Sequence, residues 1–371
     1  MKKVVVLGAS GTIGQNTIDI IRRFPERFLL AGVSVHSNTK ALEALRAEFR
    51  FEHFAVTDTA AQYEKKHRSL ERFLCETPAD IVVNGIAGAA GLPASFLAVR
   101  YCRTLALANK ESIVMAGALL QKEAEKCGAV IIPVDSEHSA LYSLMRAHGR
   151  GSVARLILTA SGGPFRTWTR EQIQTATLAD ALKHPTWTMG AKITVDSASL
   201  ANKALEVIEA VHLFDMPVDR IAVAVHPTSV VHSLVQLTGG AVYAQLSPPD
   251  MRNPIFFALT YPEEPPPYLA PLDFTEPFDL HFEPPRTEDF PLLPLGFIAA
   301  RKGACYPIAF NAANEQAVSA FLHGRIRFVQ LAEVTERVMR EDWNTAPADV
   351  REIMGIDEAA RRYADEYIAS L

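Results

Sequence analysis

The sequence predicts an α/β protein: an N-terminal Rossmann-like, doubly wound parallel sheet, a central α+β domain and a C-terminal helical domain. Three observations carry this. Short apolar runs alternate with helical patterns from residue 1 to about 134, as in a parallel sheet with helices on both faces. Runs at 222–225, 230–237 and 241–245 then follow one another, the last two joined by the hairpin signal Gly239-Gly240. From Leu295 onward only helical periodicity remains. Between the last two regions, Pro248 to Pro294 holds 13 of the 23 prolines, a density that defeats regular elements and reads as a rim and linker. The expected boundaries are 1–134, 135–262, 263–294 and 295–371.

Composition narrows the function classes. A chain of 371 residues with 49% hydrophobic and 21% charged residues is ordinary for two or three globular domains. A net charge of -5 argues against a general nucleic-acid binder or an anionic-membrane binder. The 4 cysteines, Cys75, Cys102, Cys127 and Cys305, form no CxxC pair and fit a reducing compartment. The apolar run of MKKVVVLGASG meets glycine too soon for a signal peptide, and no stretch is long enough to span a bilayer. A cytoplasmic setting is expected.

In the first region Val4 to Leu7 reads as a buried strand, Gly8-Ala9-Ser10-Gly11-Thr12-Ile13-Gly14 as a turn, and the residues up to Phe24 as a helix ended by Pro25. A second strand, Phe28 to Val35, completes a βαβ unit of the kind that holds dinucleotides. Glycines let the backbone approach a pyrophosphate, and the helix N-terminus offers amide hydrogens. The spacing is GxxGxxG, so a turn that merely packs helix on strand is the plain alternative. After the second strand stands His36-Ser37-Asn38-Thr39-Lys40 with no acid, which favours NADP over NAD because an acid would repel a 2′-phosphate.

Further strands are expected at 79–83, 103–108 and 129–134. The last two end in Asn109-Lys110-Glu111-Ser112 and Asp135-Ser136-Glu137-His138, at the strand-end rim where open sheets bind ligands. Asp135 and Glu137 point the same way if the chain is still extended, and paired hard oxygens suit Mg²⁺ or Mn²⁺. The same letters also read as a helix N-cap followed by an acidic first turn.

In the central region Ser161-Gly162-Gly163 is a candidate phosphate-binding turn, with a plain loop as the alternative. His184-Pro185-Thr186-Trp187-Thr188-Met189-Gly190 reads as a lid. Val195 to Ala210 reads as a strand end, a polar turn with Ser197 and Ser199 as candidate N-caps, and an amphipathic helix. Ala201, Ala204, Ile208 and Val211 form its apolar stripe. Asn202, Glu206 and Glu209 lie opposite with Lys203 beside them, either as an anion-binding group or as a solvated face with a Lys203–Glu206 pair. Asn311-Ala312-Ala313-Asn314-Glu315 is expected to cap a helix, followed by helices at 328–340 and 357–371.

The blocks GASGTIG, LANKES, PVDSEHSA, SGGPF, HPTWTMG, KITVDSASLANKALEVIEA, LSPPDMRNP and FNAANE together resemble the 1-deoxy-D-xylulose 5-phosphate reductoisomerases, in order and over nearly the whole chain. The resemblance implies conversion of 1-deoxy-D-xylulose 5-phosphate, a phosphorylated sugar, to 2-C-methyl-D-erythritol 4-phosphate in non-mevalonate isoprenoid synthesis. It implies NADPH with Mg²⁺, Mn²⁺ or Co²⁺ as cofactors, and a homodimer. By the same matching, Ser10, Gly11, Thr12 and Ile13 would hold the pyrophosphate. Asn109, Glu111 and Gly190 would lie near NADPH; the reading of the residues themselves adds His36, Ser37 and Asn38, which can donate to a 2′-phosphate. Asp135, Glu137 and Glu206 would be metal ligands. Lys110 and Ser136 would contact the sugar backbone. Ser161, His184, Ser197, Asn202 and Lys203 would surround the phosphate, with Trp187 and Met189 in the closing lid. The chain departs from the family at Ser37, where many members carry a basic residue, and is compact at 146–152.

These residue types fit the chemistry. A cation chelating a carbonyl and a neighbouring hydroxyl eases either retro-aldol cleavage with recombination or a concerted 1,2-shift, and hydride then reduces the aldehyde. Two other readings compete. A semialdehyde-dehydrogenase-like or homoserine-dehydrogenase-like enzyme shares the two-part layout, but the former needs a nucleophilic cysteine in an active-site loop. A non-catalytic nucleotide sensor is expected to lose Asp135, Glu137, Lys203 or Glu206, and all four are present.

Overall fold

The structure is a computed structural model that describes residues 1–58 and 69–371. In chain order the elements are β1 (Lys2–Leu7), α1 (Thr12–Arg23), β2 (Phe28–Val35), α2 (Thr39–Phe49), β3 (His53–Val56), α3 (Leu70–Glu76), β4 (Ile81–Asn84), α4 (Gly91–Tyr101), β5 (Thr104–Leu107), α5 (Lys110–Cys127), β6 (Val130–Pro133) and α6 (Ser136–His148). They continue with β7 (Val153–Ala160), α7 (Arg170–Gln174), α8 (Leu178–Ala181), α9 (Ala191–Ala198), α10 (Ala201–Phe214), β8 (Ile221–Val225), β9 (Val231–Leu237), β10 (Val242–Leu246) and α11 (Arg252–Thr260). The last four are α12 (Leu292–Lys302), α13 (Tyr306–Leu322), α14 (Gln330–Met339) and α15 (Val350–Ser370).

Two compact units result: one of 1–112, 118–139 and 250–269, the other of 113–117, 140–249 and 270–371. The first unit holds a six-stranded, all-parallel sheet in the order β3-β2-β1-β4-β5-β6. This is the doubly wound arrangement, and its strand order reverses between β1 and β4, where a ligand crevice is expected. Val4 to Leu7 and Ile81 to Val83 are 0–2% exposed, which explains why these strands read as unbroken apolar runs rather than alternations. Segment 250–269 packs onto this unit although it follows β10 in the chain. The Lys2 ammonium donates to the carbonyls of Leu259, Thr260 and Tyr261 at 2.8–3.1 Å, capping the end of α11 where the helix dipole is negative.

The second unit is built on a mixed sheet, β10-β9-β7-β8, with β7 and β8 parallel and the other pairs antiparallel. Val207, Ala210 and Phe214 of α10 pack with Leu156 and Leu158 of β7 in its core. The hairpin at Gly239-Gly240 joins β9 to β10 as its sequence requires. Helices α12 to α15 complete the unit. Among the described residues no helix is long and apolar enough to cross a membrane.

Three local expectations are corrected. Val195 is not a strand end: residues 191–198 are helix α9. The β-branched run Ile193-Thr194-Val195 suggests a strand, but Thr194 and Val195 are buried beside the neighbouring helices, and packing overrides propensity. The proline-dense stretch does contain a regular element, α11, because Pro254 sits in the first helical turn, where its missing N–H costs nothing. Asn311 to Glu315 do not cap a helix; they lie in the middle of α13, with Asn311 and Asn314 fully buried.

Candidate functional site

In the first unit the turn after β1 and the loop after β4 meet. Gly8 has φ +77°, and a Cβ there would stand 2.9 Å from the Gly85 carbonyl oxygen. A Cβ on Gly14 would stand 2.5 Å from the Gly8 oxygen and from the Ala9 Cα. Both positions therefore require glycine, and the plain packing role is real. The same closeness leaves Gly11 and Thr12 exposed at the start of α1, with no side-chain cap on its first amides. A helix start of this kind can receive a phosphate group. Ser10 and Ile13 flank it, half-buried.

After β2, His36, Ser37 and Asn38 are all exposed. The Asn38 side chain accepts from the Ala41 amide at 3.1 Å and so caps α2, while His36 Nδ1 lies 3.1 Å from Thr57 Oγ1. After β5, Asn109 caps α5 by accepting from the Ser112 amide at 3.0 Å. Its Nδ2 donates to the Gly88 carbonyl at 2.9 Å and to Glu111 Oε2 at 2.8 Å. Asn109 and Glu111 are thereby locked, both at 5% exposure or less, against the small-residue loop after β4.

After β6, Asp135 precedes α6, and its Oδ1 accepts from the His138 amide at 3.4 Å. Ser136 and Glu137 form the first turn, so the chain here is a helix start rather than extended. Even so, Asp135 and Glu137 each turn a carboxylate oxygen to within 4.8 Å of the other's. The Lys110 ammonium donates to Asp135 Oδ2 at 3.1 Å, and His138 Nδ1 lies 3.0 Å from Asp135 Oδ1. Ser136 Oγ donates to Glu137. Two hard carboxylates, Asp135 held by a buried lysine and a fully buried histidine and Glu137 by Ser136, suit a divalent cation. His138 is absent from the sequence-derived site residues, although its spacing of three from Asp135 in DSEH is the signal for it.

In the second unit Ser161, His184 and Ser197 come together. His184 Nε2 lies 3.0 Å from both Ser161 Oγ and Ser197 Oγ. His184 Nδ1 accepts from the Thr186 amide at 3.1 Å and the Trp187 amide at 2.9 Å, which fixes the ring and the start of the 184–190 segment. Burial pushes the His184 imidazole down to about 4, so it is neutral near pH 7. With Nδ1 accepting, Nε2 carries the proton and can donate to an anion. Gly162 and Gly163 have φ +83° and +67°, and a Cβ on Gly163 would stand 2.8 Å from the Ser197 carbonyl oxygen. This close approach brings the Ser161 turn against the end of α9. Trp187 is half-buried, its ring centroid 6.3 Å from that of His232, and Gly190 caps α9.

The polar side of α10 is not a solvated face. Lys203 is 3% exposed, Glu206 0% and Glu209 4%. Lys203 Nζ and Asn202 Nδ2 both donate to the Glu206 carboxylate. Ser199 ends α9 rather than serving as the helix-capping residue of α10; that position is held by Leu200 at φ +59°. An unexposed carboxylate carrying an amide and an ammonium is an expensive arrangement for a merely structural helix.

A family model for 1-deoxy-D-xylulose 5-phosphate reductoisomerase matches residues 4–117, and two models of the C-terminal domains of that enzyme match residues 131–214 and 246–363. The reductoisomerase of Treponema denticola is 53% identical over 366 residues, covering 98% of this chain and 96% of its own length. That of Treponema pallidum is 53% identical over 369 residues, covering 100% and 98%. Among solved structures, the reductoisomerase from Zymomonas mobilis in complex with NADPH matches with a TM-score of 0.91 at 36% identity over 100% of both chains. A reductoisomerase complex with NADPH, fosmidomycin and magnesium matches with a TM-score of 0.89 at 36% identity over 100% of this chain and 98% of the other. On this identity over nearly its whole length, the chain belongs to the 1-deoxy-D-xylulose 5-phosphate reductoisomerase family.

Proposed function

We infer that this chain converts 1-deoxy-D-xylulose 5-phosphate to 2-C-methyl-D-erythritol 4-phosphate with NADPH and a divalent cation. The observation that carries this is full-length membership in the family, joined to a paired Asp135–Glu137 donor set and a buried Glu206. Asp135, Glu137 and Glu206 are assigned as ligands of one Mg²⁺ or Mn²⁺ ion. The donor chemistry fits, since all are hard carboxylates. When bound, the cation supplies Lewis acidity to a chelated carbonyl and hydroxyl, easing rearrangement of the carbon chain. The Gly8–Gly14 turn, with Asn109, Glu111 and Gly190, is assigned to NADPH, which supplies the hydride.

The chain's own residues do the rest. Lys110 and Ser136 orient the sugar backbone beside Asp135 and Glu137. Ser161, His184, Ser197, Asn202 and Lys203 bind the phosphate, whose binding energy is remote from the reacting carbons and serves to place them. Residues 184–190, with Trp187 and Met189, cover the substrate and exclude water. The expected organisation is an NADPH-binding domain at 1–134, a catalytic and dimerisation domain at 135–262, a linker at 263–294 and a helical domain at 295–371. The enzyme is expected to act as a homodimer in the cytoplasm. Edge strand β10, with Val242 and Tyr243 exposed, supports self-association. The test is NADPH absorbance on adding the deoxyxylulose phosphate and Mg²⁺ to chelator-treated protein. It falls if the reading is right, and a steady signal after metal is restored contradicts it.

A further inference from the structure

The motif FNAANE lies in α13, which takes no part in the reading above, yet one of its side chains reaches the element that carries Ser197. Asp196, 1% exposed, stands in the last turn of α9. A carboxylate there faces the negative end of the helix dipole and has lost its water, so it needs compensation on both counts. It is held from two sides. Asn314 Nδ2 of α13 donates to Asp196 Oδ1 at 2.8 Å, across 118 residues of sequence. Lys192 Nζ pairs with Asp196 Oδ2 at 2.8 Å from one turn earlier in α9. The next residue is Ser197, whose hydroxyl meets His184 and whose carbonyl is pressed by Gly163. The end of α9 is therefore clamped between the Ser161-Gly162-Gly163 turn and α13.

We propose that Asn314 is a positioning residue for the substrate phosphate, acting through Asp196 to fix the Ser197 hydroxyl against His184 and Ser161. A helix end free to shift by a fraction of an ångström would spoil the convergence of these three groups, because hydrogen bonds weaken steeply with angle and distance. The inference rests on the reading of Ser161, His184 and Ser197 as phosphate ligands, and the test separates the two.

Steady-state kinetics of the full chain with NADPH and Mg²⁺ would be compared for Ser197→Ala, Asn314→Leu and the D196N/N314D double variant, with inorganic phosphate as a competitive probe. Asn314→Leu is expected to raise KM for the phosphorylated substrate and Ki for phosphate about 10-fold, the loss of one hydrogen bond to a charged group, with kcat within about 2-fold and NADPH affinity unchanged. The double variant restores the bond with donor and acceptor exchanged but leaves Lys192 without its carboxylate, so it is expected to recover part of the KM. If Ser197→Ala raises KM but Asn314→Leu lowers only the melting temperature, the positioning role is overturned. If Ser197→Ala itself leaves KM and Ki unchanged, the phosphate reading fails with it. Should Asn314→Leu not fold, Asn314→Ala decides: a raised KM and Ki support the clamp, and wild-type-like KM and Ki in the folded variant contradict it.

Discussion

The glycine turn after β1 and the α9–α10 segment, the two proposed anion sites, are built by opposite means. The turn works through backbone: Gly8 and Gly14 allow two loops and a helix start to come within contact distance, and the first turn of α1 carries no side-chain cap. The α9–α10 segment works through side chains: Lys203 and Glu206 are buried and paired, and His184 joins two hydroxyls. Backbone cradles are cheap, because the amides at a helix start are unsatisfied anyway. Buried charges are costly and persist where a site needs a fixed charge without surrounding water. The two regions should fail differently when altered.

The largest effect is expected at Glu206. Glu206→Gln should lower kcat by about 10³-fold or more while NADPH affinity is retained, as befits loss of a metal ligand. Turnover by that variant near the wild-type rate would break the contrast, since the α10 carboxylate would then be structural. Gly14→Val tests the other side. Its side chain has no room beside Gly8 and Ala9, and the overpacking should cost about 1–3 kcal/mol and abolish NADPH binding, read by melting and by nucleotide fluorescence. Normal nucleotide affinity would show that the turn does not form the cradle.

Lys203→Ala should raise KM for the phosphorylated substrate about 10-fold or more, and should destabilise the protein by about 3 kcal/mol because Glu206 is left buried with one partner fewer. An unchanged KM removes Lys203 from the phosphate pocket. The smallest effect is a pH dependence. Burial lowers the His184 pKa from its ordinary 6.5 to about 4, so the fold favours the neutral ring. Its contribution to stability is present above about pH 6.5 and is lost as pH falls towards 4. His184→Asn should flatten the fall in melting temperature over that window by about 2–4 °C, and parallel melting curves would contradict the burial account.

The same contrast explains what the sequence made legible. The strands β1, β4 and β5 and the turn after β1 were readable because burial on both faces writes itself as unbroken apolar runs punctuated by glycine. Family resemblance named Asp135, Glu137, Glu206 and Lys203 from motifs. Periodicity alone left the polar side of α10 open between a wet face and a site, because a buried Glu and an exposed Glu are written with the same letter. Asp196 and His138 carry no role in the sequence, and Asn314 reads as a helix cap, for the related reason that their partners come from tertiary contact or from a helix start that the letters leave ambiguous. Helix α9 reads as a strand end because β-branched residues report propensity and not packing.

The proposed metal ligands are 71 residues apart in sequence at their farthest, Asp135 and Glu206. Titration of the NADPH-loaded protein with Mn²⁺, followed by electron paramagnetic resonance, tests directly whether they share one ion. One Mn²⁺ per chain is expected, bound about 100-fold more weakly or worse in Asp135→Asn and in Glu206→Gln alike. Mn²⁺ bound by Glu206→Gln as tightly as by the unaltered chain would mean that α10 supplies no ligand.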